Sequence, residues 1–379
     1  MTRYLERQRN IIDFALSSLL RRKARNLSLL AVYTLMVFII ASAIFTIQAL
    51  KREAALILKN APDMVVQRMV AGRHDLIPEG YGTKISAIRG VADVRPRLWG
   101  YYYDAASGAN YTVMASVSQP PLPPESVNIG SGVARVKRLS EGDYMALRSA
   151  SGVPAIFQVR KIFTDQSELI AADLIVTAPD DFRTFFAFPS GKATDLAISA
   201  GNPNELTTIA AKIVQEFPDT RPILKSEMLR TYDAVFDWRG GMVIVMLGVA
   251  LLSFIIFAWD KATGLSAEER KEIGILKSIG WETGDVLLLK TWEGLVISLS
   301  AFLFGVILAY CHLFFFSAAL FAPALKGWSV LYPRFSLTPV IDPYQLAVLF
   351  FLTVVPYSAA TIIPSWRTAT ADPDAAMRS

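Results

Sequence analysis

Four stretches without a single Asp, Glu, Lys or Arg constrain this chain more than any other feature: residues 27–50, 240–259, 294–325 and 343–366. Each reaches the roughly 20 residues that an α-helix needs to cross about 30 Å of hydrocarbon. Core helices of soluble proteins seldom run uncharged beyond about 14 residues. Composition agrees, with 53% of the 379 residues hydrophobic and only 19% charged. The expected fold class is an α-helical membrane protein with four spans and a large mixed α/β extracytoplasmic domain between the first and second.

Basic residues near the span ends set the orientation. Arg3, Arg7, Arg9, Arg21, Arg22, Lys23 and Arg25 precede the first span against only Glu6 and Asp13, so residues 1–26 are expected in the cytoplasm. The expected order is a first span at 27–50, an outer domain at 51–238 and a second span at 239–259. A cytoplasmic region at 260–293 follows, then a third span at 294–318, an outer loop at 319–342, a fourth span at 343–366 and a cytoplasmic tail at 367–379. The net charge of +5 is accounted for by this topology and implies no nucleic-acid partner. A cleaved signal peptide does not fit the first apolar run, which is too long, begins too far from Met1 and lacks a small-residue cleavage site. Cys311 is the only cysteine and lies within a span, so the outer domain is expected to be held by its core rather than by a disulfide.

Ile12, Ala15, Leu16, Leu19 and Leu20 recur at helical spacing, with Asn10, Asp13, Ser17 and Arg21 opposite. Two readings fit: a helix along the inner membrane surface, its arginines on anionic headgroups, or a basic flank that only sets topology. In the outer domain, 64–70 and 91–103 are rich in β-formers, and the second pairs through a Ser107-Gly108 turn with 111–117. A second hairpin is expected over 144–163, then a strand at 174–177. A helix over 203–217, capped by Asn202, carries Leu206, Ile209, Ala210, Ile213 and Val214 on one face and should pack on a sheet. The stiff run Gln119-Pro-Pro-Leu-Pro-Pro124 is expected to divide the domain into two lobes. Leu50, Ala54, Ile57 and Leu58 extend the first span outward, and Leu229, Tyr232 and Phe236 lead into the second, so the two would form a helical stalk.

Between the second and third spans stands a charged, glycine-punctuated segment. Ser266 and Glu269 make a capping box, predicting a helix from Ala267 with an apolar stripe of Ile273, Leu276 and Ile279 and a stop at Gly280. A second helix then starts near Thr283 and runs through Lys290 and Glu293 into the third span. Glu268, Glu269, Arg270, Lys271, Glu272 and Lys277 are expected to face water or a partner, with the small Gly274 permitting close approach. Spacing alone leaves a solvated loop and a partner-binding helix equally open.

The run Glu-Arg-Lys-Glu-Ile-Gly-Ile-Leu-Lys-Ser-Ile-Gly at 269–280, with Glu293-Gly294 opening the next span, resembles the signature of the FtsX-like permease family of ATP-binding-cassette transporters. The tail, Pro364-Ser-Trp-Arg367 followed by Asp372-Pro373 and Ala375-Ala376, is similar to that family's ending, and the layout of one span, a large outer domain and three spans matches too. In the outer domain the likeness is in outline only, apart from Glu141-Gly-Asp143 and the two-lobed pattern. The resemblance implies a MacB-like, type VII transporter fold in a bacterial inner membrane. It implies a coupling helix at Glu268, Glu269, Arg270, Lys271, Glu272, Ile273, Gly274, Ile275, Leu276, Lys277, Ile279 and Gly280, seated on an ATPase subunit present in two copies. It further implies a second permease protomer, the same chain rather than a different one, and leaves a periplasmic adaptor open. Motion rather than a pore would carry the work, substrate being handled outside, and no span holds an acidic or basic residue marking a polar path.

No Gly-x-x-x-x-Gly-Lys-Ser/Thr loop is present; Gly191-Lys192 comes closest, with Phe186 where the first glycine belongs. The chain is therefore expected to bind no cofactor and to be no enzyme itself, with ATP and Mg held by the partner ATPase. His74 and His312 are too few and too far apart for a metal site. Asp104, Asp143, Asp173 and Asp195 lack hydrolase spacing and read as turn or strand-end carboxylates. Trp99-Gly-Tyr-Tyr-Tyr103 reads either as strand core or as a grip on an apolar substrate or adaptor, and Phe185, Phe186 and Phe188 pose the same choice. Phe314 to Phe316 read as lipid-facing or interhelical bulk. Two functions of different class remain: an export or extraction permease, and an FtsX-like scaffold that activates a cell-envelope hydrolase without moving substrate. The lobed outer domain favours the first.

Overall fold

The computed structural model describes residues 2–59, 61–117, 121–163, 171–231, 267–321, 330–331 and 340–370, with single positions at 248, 252 and 255. They fall into two compact units, one formed by 1–50, 236–319 and 338–379, the other by 51–235 and 320–337.

The chain begins with α1 (Thr2–Arg21) and α2 (Lys23–Lys59). The corner between them is fixed by Asn26, whose Nδ2 donates to the Leu19 carbonyl at 2.9 Å. Helix α2 continues well beyond the expected end of the first span.

In the outer unit, β1 (Met64–Val70) pairs with β2 (Arg73–Asp75), and the short β3 (Ile77–Pro78) leads to α3 (Gly80–Ser86) and β4 (Val91–Arg97). Next come β5 (Trp99–Asp104), β6 (Ala109–Ala115), β7 (Ser126–Ile129), α4 (Ser131–Lys137), β8 (Tyr144–Arg148), β9 (Pro154–Ile162), β10 (Leu174–Thr177) and α5 (Pro179–Phe186). The unit closes with β11 (Lys192–Ala193), β12 (Asp195–Ala200), a 3₁₀ turn at Pro203–Glu205, α6 (Leu206–Glu216) and β13 (Thr220–Leu224). One antiparallel sheet runs β13-β1-β12-β4, with β2 added to β1, and a second, mixed sheet runs β5-β6-β10-β7-β9-β8. Strand β6 shows why these segments are strands: Ala109, Tyr111, Val113 and Ala115 point into the core while the residues between them do not.

Two expectations need correction. The β-rich run 91–103 is not one strand; it changes sheets at the buried Leu98. Asp195 explains the break, because its carboxylate accepts from Arg97 Nε at 2.6 Å and Nη2 at 2.8 Å, and from Trp99 Nε1 at 2.9 Å. Both flanking side chains are thus anchored to one buried carboxylate. Nor do the lobes divide at the proline run, which lies between β6 and β7 of the same sheet. The second sheet is instead inserted within the first, entering at Leu98 and returning before β11. Both sheets contribute to one core, in which Met64, Leu196, Tyr111, Val127 and Phe182 are fully buried. Leu331 joins that core from the region expected as the loop between the third and fourth spans. Helix α6 packs as its periodicity predicts, burying Ile209 and Ile213, and Asn202 accepts from the Asn204 amide. Val214 is on the exposed side of that face.

The helical unit resumes with α7 (Ala267–Ser278), α8 (Thr283–Phe314) and α9 (Pro343–Thr370). Helices α2, over Lys23–Glu53, and α8 are long and apolar enough to cross a membrane, and α9 contributes a shorter apolar stretch, Pro343–Ala359. Apart from the single positions 248, 252 and 255, the stretch expected as the second span lies outside the described residues. Tyr33, Val37 and Ala41 of α2, Ile297, Ala301 and Ala309 of α8, and Leu349, Val354 and Tyr357 of α9 form one core. Gly305 lets α2 approach α8, since a Cβ there would sit 2.6 Å from Val37 Cγ1. His312 makes an interhelical polar contact, its Nδ1 lying 3.3 Å from Ser42 Oγ.

Candidate functional site: a braced helical hairpin

Helix α7 and the start of α8 are joined by a turn held from both sides. Gly280, at φ +101°, ends α7, its amide donating to the Lys277 carbonyl at 3.0 Å while the Trp281 amide donates to the Leu276 carbonyl at 3.0 Å. This Schellman pairing satisfies two orphan carbonyls at once and requires a backbone conformation suited to glycine. On the other side Glu282 caps α8 reciprocally with Asp285. The sequence reading located the stop and the second helix but not this second capping box.

Helix α1 braces the hairpin. Ile11 and Ala15 pack with Leu276 and Leu289, and Phe14, Trp281, Leu288 and Trp292 enclose them. The Phe14 and Trp281 rings lie 5.5 Å apart, and the Arg21 guanidinium sits 5.4 Å over Phe14. Arg21 and Arg22 both donate to Glu272, at 2.8 and 2.7 Å, and Arg7 pairs with Asp285. Trp292 Nε1 donates to Gln8 Oε1 at 3.2 Å. The inward face of α1 is therefore spent on protein, while Leu16 and Leu20 remain exposed. The periodicity of α1 could not name this partner, since the contacts span some 250 positions of sequence.

The structure redistributes the sequence-predicted site residues. Ile273, Gly274 and Leu276 are buried in the helical unit, but Ile279 is not part of their stripe: it is 68% exposed. Glu272 does not face outward either, being held by the two arginines. Lys271, Ile275, Ser278 and Ile279 form the free face, with Ile275 47% exposed. Positions 275 and 279 are one turn apart on a strip beside that of 276, and α1 covers Leu276 without reaching Ile279. Lys277 and Gly280 lie at the rim, half-buried and exposed respectively. Glu268, Glu269 and Arg270 are in the helical backbone, and their side chains, like Ser266 of the expected capping box, lie outside the described residues. Past the turn, Lys290 and Glu293 form an ion pair of 2.7 Å where α8 enters its apolar stretch.

In the outer unit the other candidates resolve into structural roles. Asp104 pairs with Lys137 at 2.6 Å, Asp143 accepts from the Ser140 amide at 2.7 Å and Asp173 accepts from Thr112 Oγ1 at 2.7 Å. His74 Nε2 meets the Thr194 carbonyl at 3.0 Å. The aromatic run splits by strand alternation: Tyr102 turns inward to Phe185, while Tyr101 and Tyr103 are exposed. Phe185 is buried, with Phe186 and Phe188 packed beside it. A groove of about 710 Å³, unmarked by any sequence pattern, lies along β8, β9 and α5, lined by Glu125, Tyr144, Ile156, Asp181 and Phe185 among others. Burial, with the negative charges of Glu125 and Asp180 nearby, pushes the Asp181 carboxyl up despite the Glu125 amide it accepts.

Residues 242–373 match the model of the FtsX-like permease C-terminal family. Among solved structures, the periplasmic region of MacB from Actinobacillus actinomycetemcomitans aligns with 45% of this chain and 92% of its own, at 9% identity and a TM-score of 0.32. That likeness is too slight to carry an argument. A search of curated proteins returns no match. The matched region takes in α7, the turn, α8 and α9, so it is this C-terminal part of the chain that is similar to the FtsX-like permease family.

Proposed function

We propose that this chain is the transmembrane permease subunit of an ATP-binding-cassette system. It would receive the stroke of a separate nucleotide-hydrolysing subunit at α7 and relay it across the membrane, driving export or extraction of a substrate handled by the outer unit. The observation that carries this reading is the doubly capped hairpin, stiff and continuous with an apolar helix, which leaves Lys271, Ile275 and Ile279 outward. A lever must not bend at its joint, and both ends of this turn are hydrogen-bonded. The two exposed isoleucines suit the apolar centre of an interface and the lysine its polar rim. ATP and Mg belong to that partner, which would be present in two copies beneath two copies of this chain.

The four uncharged stretches support four crossings, and the basic residues before α2 support both termini in the cytoplasm. Leu331 supports this arrangement, since it packs in the core of the outer unit. The unbroken α2 supports a mechanical link outward, and the groove beside β8 supports handling of substrate there rather than signalling alone. The test is reconstitution with the cognate ATPase. Ile279→Asp should abolish co-purification of the ATPase while the permease still reaches the membrane; retained binding and coupled turnover would remove the assignment.

A further inference from the structure

At the α1–α2 corner a groove of about 460 Å³ opens between the two helices and α8, lined by Leu19, Leu20, Leu27, Leu30, Val296 and Ile297 with Lys23 at its side. We infer that this groove is a binding site for an anionic phospholipid, one acyl chain lying along the leucines and the phosphate meeting Lys23. Its apolar lining is not closed over by protein: Leu20 is 72% and Leu27 66% exposed. Those side chains run on into the outward bands of α2 and α8, where Val32, Leu35 and Ile39, and Leu299, Leu303 and Ile307, are exposed too. A surface of that kind in a membrane-spanning chain is wetted by acyl chains. The groove is thus an indentation in the lipid face, of a size that holds a chain rather than a single methyl group.

Charge fixes the headgroup. Among the described residues Lys23 has no carboxylate partner, whereas its neighbours Arg21 and Arg22 are held on Glu272. The cation therefore stands at the mouth of an apolar slot, at the first residue of α2 and one turn before its uncharged stretch begins. A second copy of this chain would need to bring both an apolar ridge and an anion to the same spot, which a phospholipid supplies in one molecule. Seated there, the lipid would lie against the corner that carries α1 to the hairpin.

The full-length chain in nanodiscs of phosphatidylcholine and phosphatidylglycerol, with the photoreactive acyl chain carried by one lipid or the other in parallel samples, provides the test. Adducts mapped by mass spectrometry should concentrate on 19–30 and 296–300. Lys23→Gln should lower the preference for phosphatidylglycerol over phosphatidylcholine about fivefold, the effect of one basic residue near an anionic surface. Ser300→Phe, at the groove wall, should remove the adduct from both lipids; should that variant fail to assemble, Leu27→Gln serves the same purpose. Adducts spread evenly along α2 and α8, or an unchanged preference in Lys23→Gln, would overturn the inference. So would a disulfide between copies carrying Leu27→Cys with Cys311→Ser, since a second copy would then fill the groove.

Discussion

Arg22 Nη2 lies 2.7 Å from Glu272 Oε2, joining two residues 250 positions apart in the chain. With Arg21 on the other carboxylate oxygen, the pair fastens α1 to the helix that is proposed to receive the partner's motion. Both Arg22 and Glu272 are mostly shielded from solvent, so the attraction is screened less than at an open surface. Glu272→Ala should cost about 1–2 kcal/mol of stability for a two-armed, charge-assisted contact. Glu272→Arg should cost more, and combining it with Arg22→Glu should recover part of the loss. Thermal unfolding of the four proteins checks this as a double-mutant cycle. Strict additivity would mean that the brace carries no coupling energy.

The outward isoleucines predict a different behaviour. Ile275→Asp and Ile279→Asp alter side chains that the helical unit does not bury, so melting temperatures should stay near that of the unaltered chain. Affinity for the ATPase should fall by about a hundredfold or more, as when a central apolar anchor of an interface is lost. Lys271→Glu should instead change the salt dependence of association. Titration of the ATPase onto nanodisc-held permease separates these outcomes. Equal binding by all three variants would place the contact elsewhere.

Much of this was legible in the residues. The uncharged stretches announced α2, α8 and α9; Gly280 announced the end of α7; Asn202 and Pro203 announced the start of the helical turn before α6. What was hidden depends on partners distant in sequence. Helical spacing gives Ile273, Leu276 and Ile279 a common stripe, yet only the packing of Leu276 on Ile11 and Ala15 shows that Ile279 falls outside it. Likewise a charged Glu272 reads as solvated until Arg21 and Arg22 are brought to it. The break at Leu98 was invisible for the same reason: a β-rich run carries no mark of a change of sheet, which is imposed by Asp195 from almost a hundred positions away. Short α3, α4 and α5 were missed because one or two turns give too little periodicity to detect.

Gly280 makes a prediction about stiffness. At φ +101° a Cβ is strained even though nothing lies within 4 Å of where it would sit. Gly280→Ala should therefore destabilise the hairpin by about 1–2 kcal/mol through the backbone alone. Amide exchange should quicken in 276–284 and leave the outer unit unchanged. Unaltered protection across the turn would show that the Schellman pairing does not limit its opening.

The orientation is checked by chemical access. In a Cys311→Ser background, a cysteine at Asn202 should react with an impermeant thiol reagent in whole spheroplasts, whereas one at Ser278 should react only after lysis. Both sites are exposed, so failure to react reports on side and not on burial. Labelling in the reverse order would invert the topology.

Asp104 sets an acid limit on the outer unit. Burial alone would push its carboxyl up, but the Lys137 ammonium, the Ser107 hydroxyl and the Ala106 amide together outweigh burial and hold it below the usual carboxylate range. A depressed folded value means stability that is fully present above the unfolded value of about 3.9 and is lost as pH falls through the folded one. Asp104→Asn should therefore lower stability by about 2 kcal/mol at neutral pH, as expected for breaking a mostly buried, hydrogen-bonded ion pair. The gap between the variant and the unaltered chain should hold from about pH 8 to pH 5 and narrow below about pH 4. Melting curves across that range, with Lys137→Met as a second way of removing the pair, provide the check. A gap that widens on acidification would mean that Asp104 is protonated in the folded protein and that the ion pair is not what holds β5 to α4.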